Sequence, residues 1–352
     1  MGRISLPRTV GRKSDHVKEK GGGAPPPSAA RNPGRAWPGA PSARPCARRP
    51  SALHGLAYLQ RPWHSAILFG MGVTPLRARV RPPIVDGLFY PAKSDQLATL
   101  VDQLIASSPT PAGACFAAIS PHAAYELAGP VMASAFRCVA RRSARTVMLV
   151  GPVHRDPRKG FFLPESETFA TPVGEVAVDE RLVSVLLGQD PTFVRNDIYH
   201  LEEHCLEVQL PFVARVFPGA AVVPILVGSR GVAAASALAE GLGAALEEAG
   251  DSTVCIVSSN MASYMTGKDT DSECASAEAL LAAGDWRALA SAEERKKISA
   301  CGATPIAALL RLAGEGCKVE VLGRACSRDK GDDPSRTVHY AAVGMDKEPL
   351  AD

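Results

Sequence analysis

Aromatic residues make up only 5% of the 352-residue chain, and no two of its nine cysteines form a C-x-x-C pair. The scattered, odd-numbered thiols speak against a disulfide framework or a zinc ribbon and fit a reducing cytoplasm. Long apolar runs are missing too. The longest near the start, residues 65–73, is about half the ~20 residues that a spanning helix needs, and nothing before it resembles a signal peptide. No G-x-S-x-G, P-loop or G-x-G-x-x-G stands in a strand-turn-helix context, which removes the simplest hydrolase, kinase-like and dinucleotide readings.

The formal net charge of +3 conceals two unlike parts. Residues 1–80 carry fourteen Lys/Arg against Asp15 and Glu19, leaving 25 basic and 34 acidic residues for the rest. A folded region with net charge −9 lacks the clustered cations that phosphate neutralisation demands, so nucleic acid is not an expected partner. The first 80 residues, rich in Gly, Pro, Arg, Ser and Ala, show no hydrophobic period and are expected to be a disordered basic tail. Their Pro and Gly content disfavours the amphipathic helix of a transit peptide, and Met71 is an alternative start just ahead of the first folded segment.

From Arg81 the pattern alternates. Ser94 is placed to cap a helix bearing Leu97, Leu100, Val101 and Leu104. Strands are expected over 115–119, 146–150, 221–227 and 253–257, and near 318–322 and 337–343. Helices are expected over 129–141, 179–187, 232–248, 275–283 and 305–312, with a further helix over 202–217 kinked at Pro211. Residues 169–176 read as a loop and turn. Such alternation implies one α/β domain, about 81–346, with a mainly parallel sheet covered by helices on both faces and a short tail at 347–352.

Chemistry-bearing residues gather at predicted strand ends, where α/β sheets place their ligands. His122 and His154 follow two strands by a few residues, and two imidazoles can anchor a divalent ion; the plainer alternative is a pair of unrelated loop histidines. Cys301 precedes a helix with Pro305 in its first turn, where the dipole favours a thiolate, although a small buried hydrophobe is the ordinary role of a cysteine. Gly302 beside it suggests a close backbone approach. In the segment 199–209, Glu203 and Glu207, like His200 and His204, are four apart, so a helix would align each pair; a solvated face is the alternative, and His204 is the member expected nearest a site. Asn260 and Ser263 follow another strand and can hydrogen-bond a ligand, but neither is a general base near neutrality.

In order along about three quarters of the chain stand Arg81-Pro82-Pro83, Gly87-Leu88-Phe89-Tyr90-Pro91, Pro121-His122, Gly151-Pro152-Val153-His154, the run 169–176, the run 203–212 beginning Glu203-His204-Cys205, and Cys301-Gly302. This ordered set resembles the Memo family, whose bacterial members are called AmmeMemoRadiSam system protein B. It implies a fold similar to the class III extradiol ring-cleaving dioxygenases, with His122 and His154 on the two histidine-ligand positions and Cys301 in place of the carboxylate. It further implies an iron(II) or copper(I) binder of unsettled activity, zinc being a third option for a thiolate site, with radical SAM and AmmeCR1-like proteins as partners. Eukaryotic members of the family are described as adaptors for phosphotyrosine peptides, so a non-enzymatic peptide or small-ligand module is the alternative. Two departures bear on activity. The family's Ser-Ser-Asp-x-x-His reads Ser258-Ser259-Asn260-Met261-Ala262-Ser263, which removes the acid/base histidine and leaves iron-dependent ring cleavage a weaker alternative that needs His204 or another residue in that role. Its Pro-His-Ala-Gly-Tyr reads Pro121-His122-Ala123-Ala124-Tyr125, which would strain Ala124 if positive φ were needed there. Tyr125, His204, Asn260 and Ser263 are the expected pocket residues around a His122, His154, Cys301 metal site.

Overall fold

A computed structural model describes residues 79–346 apart from 111–112, 156–157, 264–268 and 331–335; the expected tails, save residues 79 and 80, lie outside the described residues. The elements in chain order are β1 (Val80–Arg81), α1 (Ser94–Ser107), β2 (Ala117–Ser120), α2 (Tyr125–Val139), β3 (Thr146–Pro152), β4 (Phe161–Leu163), β5 (Thr168–Thr171) and β6 (Gly174–Ala177). There follow α3 (Glu180–Gln189), β7 (Phe193–Arg195), α4 (Asp197–Glu202), α5 (Leu210–Val216), β8 (Ala221–Val227), α6 (Val232–Ala249) and β9 (Thr253–Ser258). The chain closes with β10 (Ala262–Ser263), α7 (Thr270–Ala282), α8 (Trp286–Glu294), α9 (Ala303–Ala313), β11 (Lys318–Cys326) and β12 (Val338–Asp346).

The main sheet has the order β10-β12-β2-β9-β3-β8-β4-β7, with β11 also on β12. Its centre, β2-β9-β3-β8, is parallel, as the alternating pattern implies, whereas β12, β11 and β10 on one flank and the β4–β8 pair on the other are antiparallel. Strands β2, β3 and β9 are buried along their whole length, the mark of a sheet covered on both faces. The crossover β2-α2-β3 steps over β9 in one direction, and β8-α6-β9 steps back over β3 in the other. Right-handed crossovers of opposite direction put their helices on opposite faces. Accordingly α2 packs with α1 and α5, and α6 with α3, α8 and α9. No helix among the described residues is long and apolar enough to cross a membrane.

Several local expectations are corrected. The run 169–176 is the greater part of a hairpin, β5 and β6, whose turn is held by the Thr171 hydroxyl, which accepts from Val173 N and donates to Gly174 O. A second small sheet, β1-β5-β6, results. Ser94 opens α1 without a side-chain cap, the N-cap being Lys93. Ala124 is the N-cap of α2 at φ −55°, so the position needs no glycine. The helix foreseen over 202–217 is broken: α4 ends at Glu202, a loop and a short 3₁₀ turn follow, and Pro211 sits in the first turn of α5, where its missing N–H costs nothing. Cys115 and Cys138 form a disulfide joining the approach to β2 with the last turn of α2. With the two cysteines 23 positions apart and no local motif, only tertiary packing reveals that pair.

Candidate metal centre

Each of three hydrogen-bonded neighbours in the sheet sends a side chain to the same rim from its second residue past the strand. These are His122 after β2, Asn260 after β9 and His154 after β3. Cys301 reaches the cluster from the segment before α9, and Gly302 makes that possible. A Cβ on Gly302 would stand 2.6 Å from Ser259 Cβ and 3.1 Å from Ser258 O. The Gly302 N–H donates to Ser259 Oγ at 2.9 Å, locking the α9 entry to the end of β9.

Hydrogen bonds behind the cluster fix how the imidazoles point. Ser258 Oγ donates its one proton to Cys205 O (2.7 Å) and accepts from Gln209 Nε2, so it can only accept from His122 Nδ1 at 3.0 Å. The Nε2 lone pair of His122 is thereby left to the cluster, 3.3 Å from Cys301 Sγ. His154 Nδ1 meets Glu203 Oε1 at 3.0 Å while its backbone N–H donates to Oε2 at 2.9 Å. Glu203 Oε1 also accepts from the N–H groups of His204 and Cys205. So engaged, Glu203 orients His154 rather than offering itself as a ligand, although His154, Glu203 and His204 also stand close enough to be a donor group.

The electrostatics follow from this arrangement. Burial pushes the Cys301 thiol up, but the charge and hydrogen bonds of His122 and His154 outweigh it and hold the thiol well below its ordinary range. His154 moves the other way. Burial lowers it, yet hydrogen bonds to Cys301 and Glu203 raise it to about 10. Burial opposes the Glu203 charge as well, and the His154 and His204 hydrogen bonds overcome it, keeping the carboxylate ionised. His122 is lowered, chiefly by burial. The thiol and the carboxyl are thus both biased toward their charged forms and His154 toward its protonated form, while burial biases His122 toward neutrality. Asn260 N donates to the thiolate at 3.2 Å and Asn260 Oδ1 accepts from His122 N, so the amide braces two of the three donors.

The donor set fits an ion. Donors about 2.0–2.3 Å from one metal stand at most about 4.6 Å apart. The candidate ligand atoms of His122, His154 and Cys301 lie within 4.8 Å of one another, a small rotation from that limit. His122 is buried while His154 is exposed, which leaves one side of the cluster open.

Of the other expected pocket residues, His204 stands beside the cluster, its ring centroid 5.5 Å from His154 and 5.8 Å from His122. Tyr125 is buried against Tyr90 and Phe212, and its hydroxyl is spent on Val208 O. Ser263 lies in β10 with its N–H on Ser299 Oγ. His200 does not share a helix face with His204; it is buried in α4 with Nε2 on Phe162 O. Nor is the acidic pair solvated. Glu207 is buried in an ion pair with Arg81 and accepts from Tyr90 OH and the N–H groups of Ile84 and Val85. Sequence reasoning missed Ser258, Gln209 and Arg81, whose orienting contacts in this corner are with residues more than 45 positions away. The available signal was their polarity within otherwise apolar, buried surroundings.

Comparison with known proteins agrees with this architecture. A family model described as Memo-like protein matches residues 81–344. A MEMO1 family protein of Thermoplasma acidophilum is 28% identical over 267 residues, covering 75% of this chain and 97% of its own length. MEMO1 family proteins of Thermotoga neapolitana and Ignicoccus hospitalis are each 30% identical, over 279 and 278 residues, again covering 75% of this chain and nearly all of their own. The strand-end histidines and the glycine-backed cysteine thus stand within the matched span of a chain that belongs to the Memo-like protein family.

Proposed function

We propose that the protein is a mononuclear metalloprotein in which His122 Nε2, His154 Nε2 and Cys301 Sγ hold iron(II) or copper(I), serving a redox or metal-handling role. The observation that carries this reading is the convergence of three donors. The ligand atoms of His122, His154 and Cys301 lie within 4.8 Å of one another, and the Nδ1 atoms of both imidazoles are already committed to Ser258 and Glu203, leaving both Nε2 atoms for a common ion. A soft thiolate among imidazoles favours copper(I), zinc or a redox-active iron over hard cations. When bound, the metal would supply electron transfer or Lewis acidity at the open side.

The chain's own residues orient and balance the centre. Glu203 fixes the tautomer of His154, Ser258 that of His122, and the Asn260 N–H tempers the thiolate. Ring cleavage of the extradiol type is not expected. Ser263 cannot relay a proton as an imidazole would. Association with radical SAM and AmmeCR1-like proteins belongs to the same proposal and is supported by family membership alone.

Metal analysis of the purified full chain tests the reading. About one iron or copper per chain, abolished by Cys301→Ala with the fold retained, is the expected result; unchanged metal content in that variant overturns it.

A further inference from the structure

Beside the three donors stands an imidazole that the metal reading leaves unused. His204 Nδ1 meets Glu203 Oε1 at 3.1 Å, the same oxygen that holds His154 Nδ1 at 3.0 Å. A carboxylate oxygen only accepts, so the Nδ1 of His204 carries the proton and Nε2 is the acceptor atom of the neutral ring. Among the described residues no hydrogen bond reaches that Nε2.

Held by one oxygen, the rings of His154 and His204 run nearly parallel, with centroids 5.5 Å apart and planes at 22°. By donor distance His204 groups with His154 and Glu203 but not with His122 and Cys301, which puts it next to the donor set rather than in it. The side chains of His154 and His204 are 34% and 28% exposed, so solvent reaches the space they share.

The surroundings hold His204 still. Its backbone N–H donates to the Glu203 carboxylate at 2.9 Å, and the Phe89 ring packs on it edge to face at 5.0 Å. Phe89 is fixed in turn, its N–H donating to Val85 O and its carbonyl accepting from Tyr125 N, both at 2.8 Å. An unpartnered acceptor is thereby kept beside a half-buried aromatic ring, the pairing of one placed polar atom with apolar surface that small-ligand sites use. Charge narrows the class of ligand. Glu203 and Cys301 both favour their anionic forms and His154 is the cation between them, so the cluster has no positive charge to spare for an oxyanion.

We infer that His204 and Phe89 form a binding site for a neutral alcohol, whose O–H donates to His204 Nε2 and whose hydrocarbon part lies against the Phe89 ring. The contact stands on those two side chains; only the closeness of the hydroxyl oxygen to an ion rests on the metalloprotein reading.

Calorimetric titration of the full chain with cyclohexanol in one arm and cyclohexanecarboxylate in the other presents the same ring with a donor head and with an acceptor-only head. Saturable cyclohexanol binding is expected, with the carboxylate weaker by about tenfold or more. In His204→Asn the amide N–H takes the place of Nδ1 on Glu203 and only the outward nitrogen is lost, so the unfolding midpoint should hold while cyclohexanol affinity falls about tenfold. His204→Gln returns an acceptor oxygen near the position of Nε2 and should recover most of that affinity. Metal content per chain should be unchanged in both variants, since neither alters a proposed ligand. No cyclohexanol binding, equal or tighter binding of the carboxylate, or unaltered affinity in His204→Asn overturns the inference. Cys301→Ala separates the two readings. Cyclohexanol affinity should persist there whatever the metal content, which alone decides the metal reading; its loss would assign the alcohol to the ion and overturn the site at His204.

Discussion

Replacing Arg81 with methionine should cost about 3–5 kcal/mol of stability and loosen the metal centre from a distance. The side chain is 1% exposed and fully engaged: Nε donates to His200 O at 2.8 Å, Nη2 to Glu203 O at 2.9 Å, and Nη1 to Pro82 O and Glu207. Methionine fills similar volume but breaks a buried ion pair, a loss of about 3–5 kcal/mol when one charge stays behind. Glu207 keeps the Tyr90 hydroxyl at 2.6 Å and the N–H groups of Ile84 and Val85, which holds that contribution near the lower bound. Of the three carbonyls left without this donor, the buried ones of His200 and Glu203 add about 1 kcal/mol each. Urea unfolding would report this as a lower midpoint at unchanged slope. The pairing makes a sharper test. Arg81→Met combined with Glu207→Leu removes both charges, so the double variant should be less destabilised than the sum of the two singles. Since Arg81 holds the Glu203 carbonyl, metal occupancy should fall as well. A loss below about 1 kcal/mol, or strict additivity, would refute the assignment of Arg81 as the anchor of this corner.

Glu203→Gln keeps the shape but weakens the grip on His154, and metal affinity measured by chelator competition should drop about 10–100-fold while that of a distant surface variant is unchanged. Gly302→Ala forces a methyl into Ser259 and the Ser258 carbonyl, so the α9 entry must shift; about 1–3 kcal/mol of stability and much of the bound metal should be lost together. His200 is lowered to about 4, chiefly by burial, with its Nδ1 lacking any partner. Above its unfolded pKa of about 6.5 the residue is neutral in both states; as pH falls from there toward 4 only the unfolded chain takes up the proton. Stability should therefore decline by up to about 3 kcal/mol across that window, and much less in His200→Gln; an identical pH profile in the variant would remove His200 as the cause.

The parts of the fold visible in the sequence are those whose pattern is local. Strands β3, β8 and β9 are unbroken apolar runs, and α6 and α9 keep a helical period, so both kinds of element declare themselves. The break at Glu203 does not. Leu206, Leu210 and Val213 continue a helical spacing, but the Glu203 carboxylate takes the N–H groups of His204 and Cys205 and turns the chain out of the helix. The β5–β6 hairpin hid behind Pro172 and Gly174, which mark its turn and outweigh its two short strands. At the site, His122, His154 and Cys301 were legible as residue types at strand and helix ends. Their orienting partners were not, because Glu203, Ser258 and Arg81 acquire their roles only through contacts distant in sequence.

Because the segments bearing His122 and His154 leave strands two places apart in a parallel sheet, the backbone ladder acts as a ruler for the donor atoms. Neighbouring strands lie about 4.8 Å apart, so the two imidazoles must lean inward across β9 to bring their centroids to 5.0 Å. The middle strand can then contribute only something short, and Asn260 meets that demand with one amide and one N–H. The separation of the two imidazoles is accordingly inherited from peptide hydrogen bonds, whereas the third donor, Cys301, depends on how the α9 entry is seated against the end of β9.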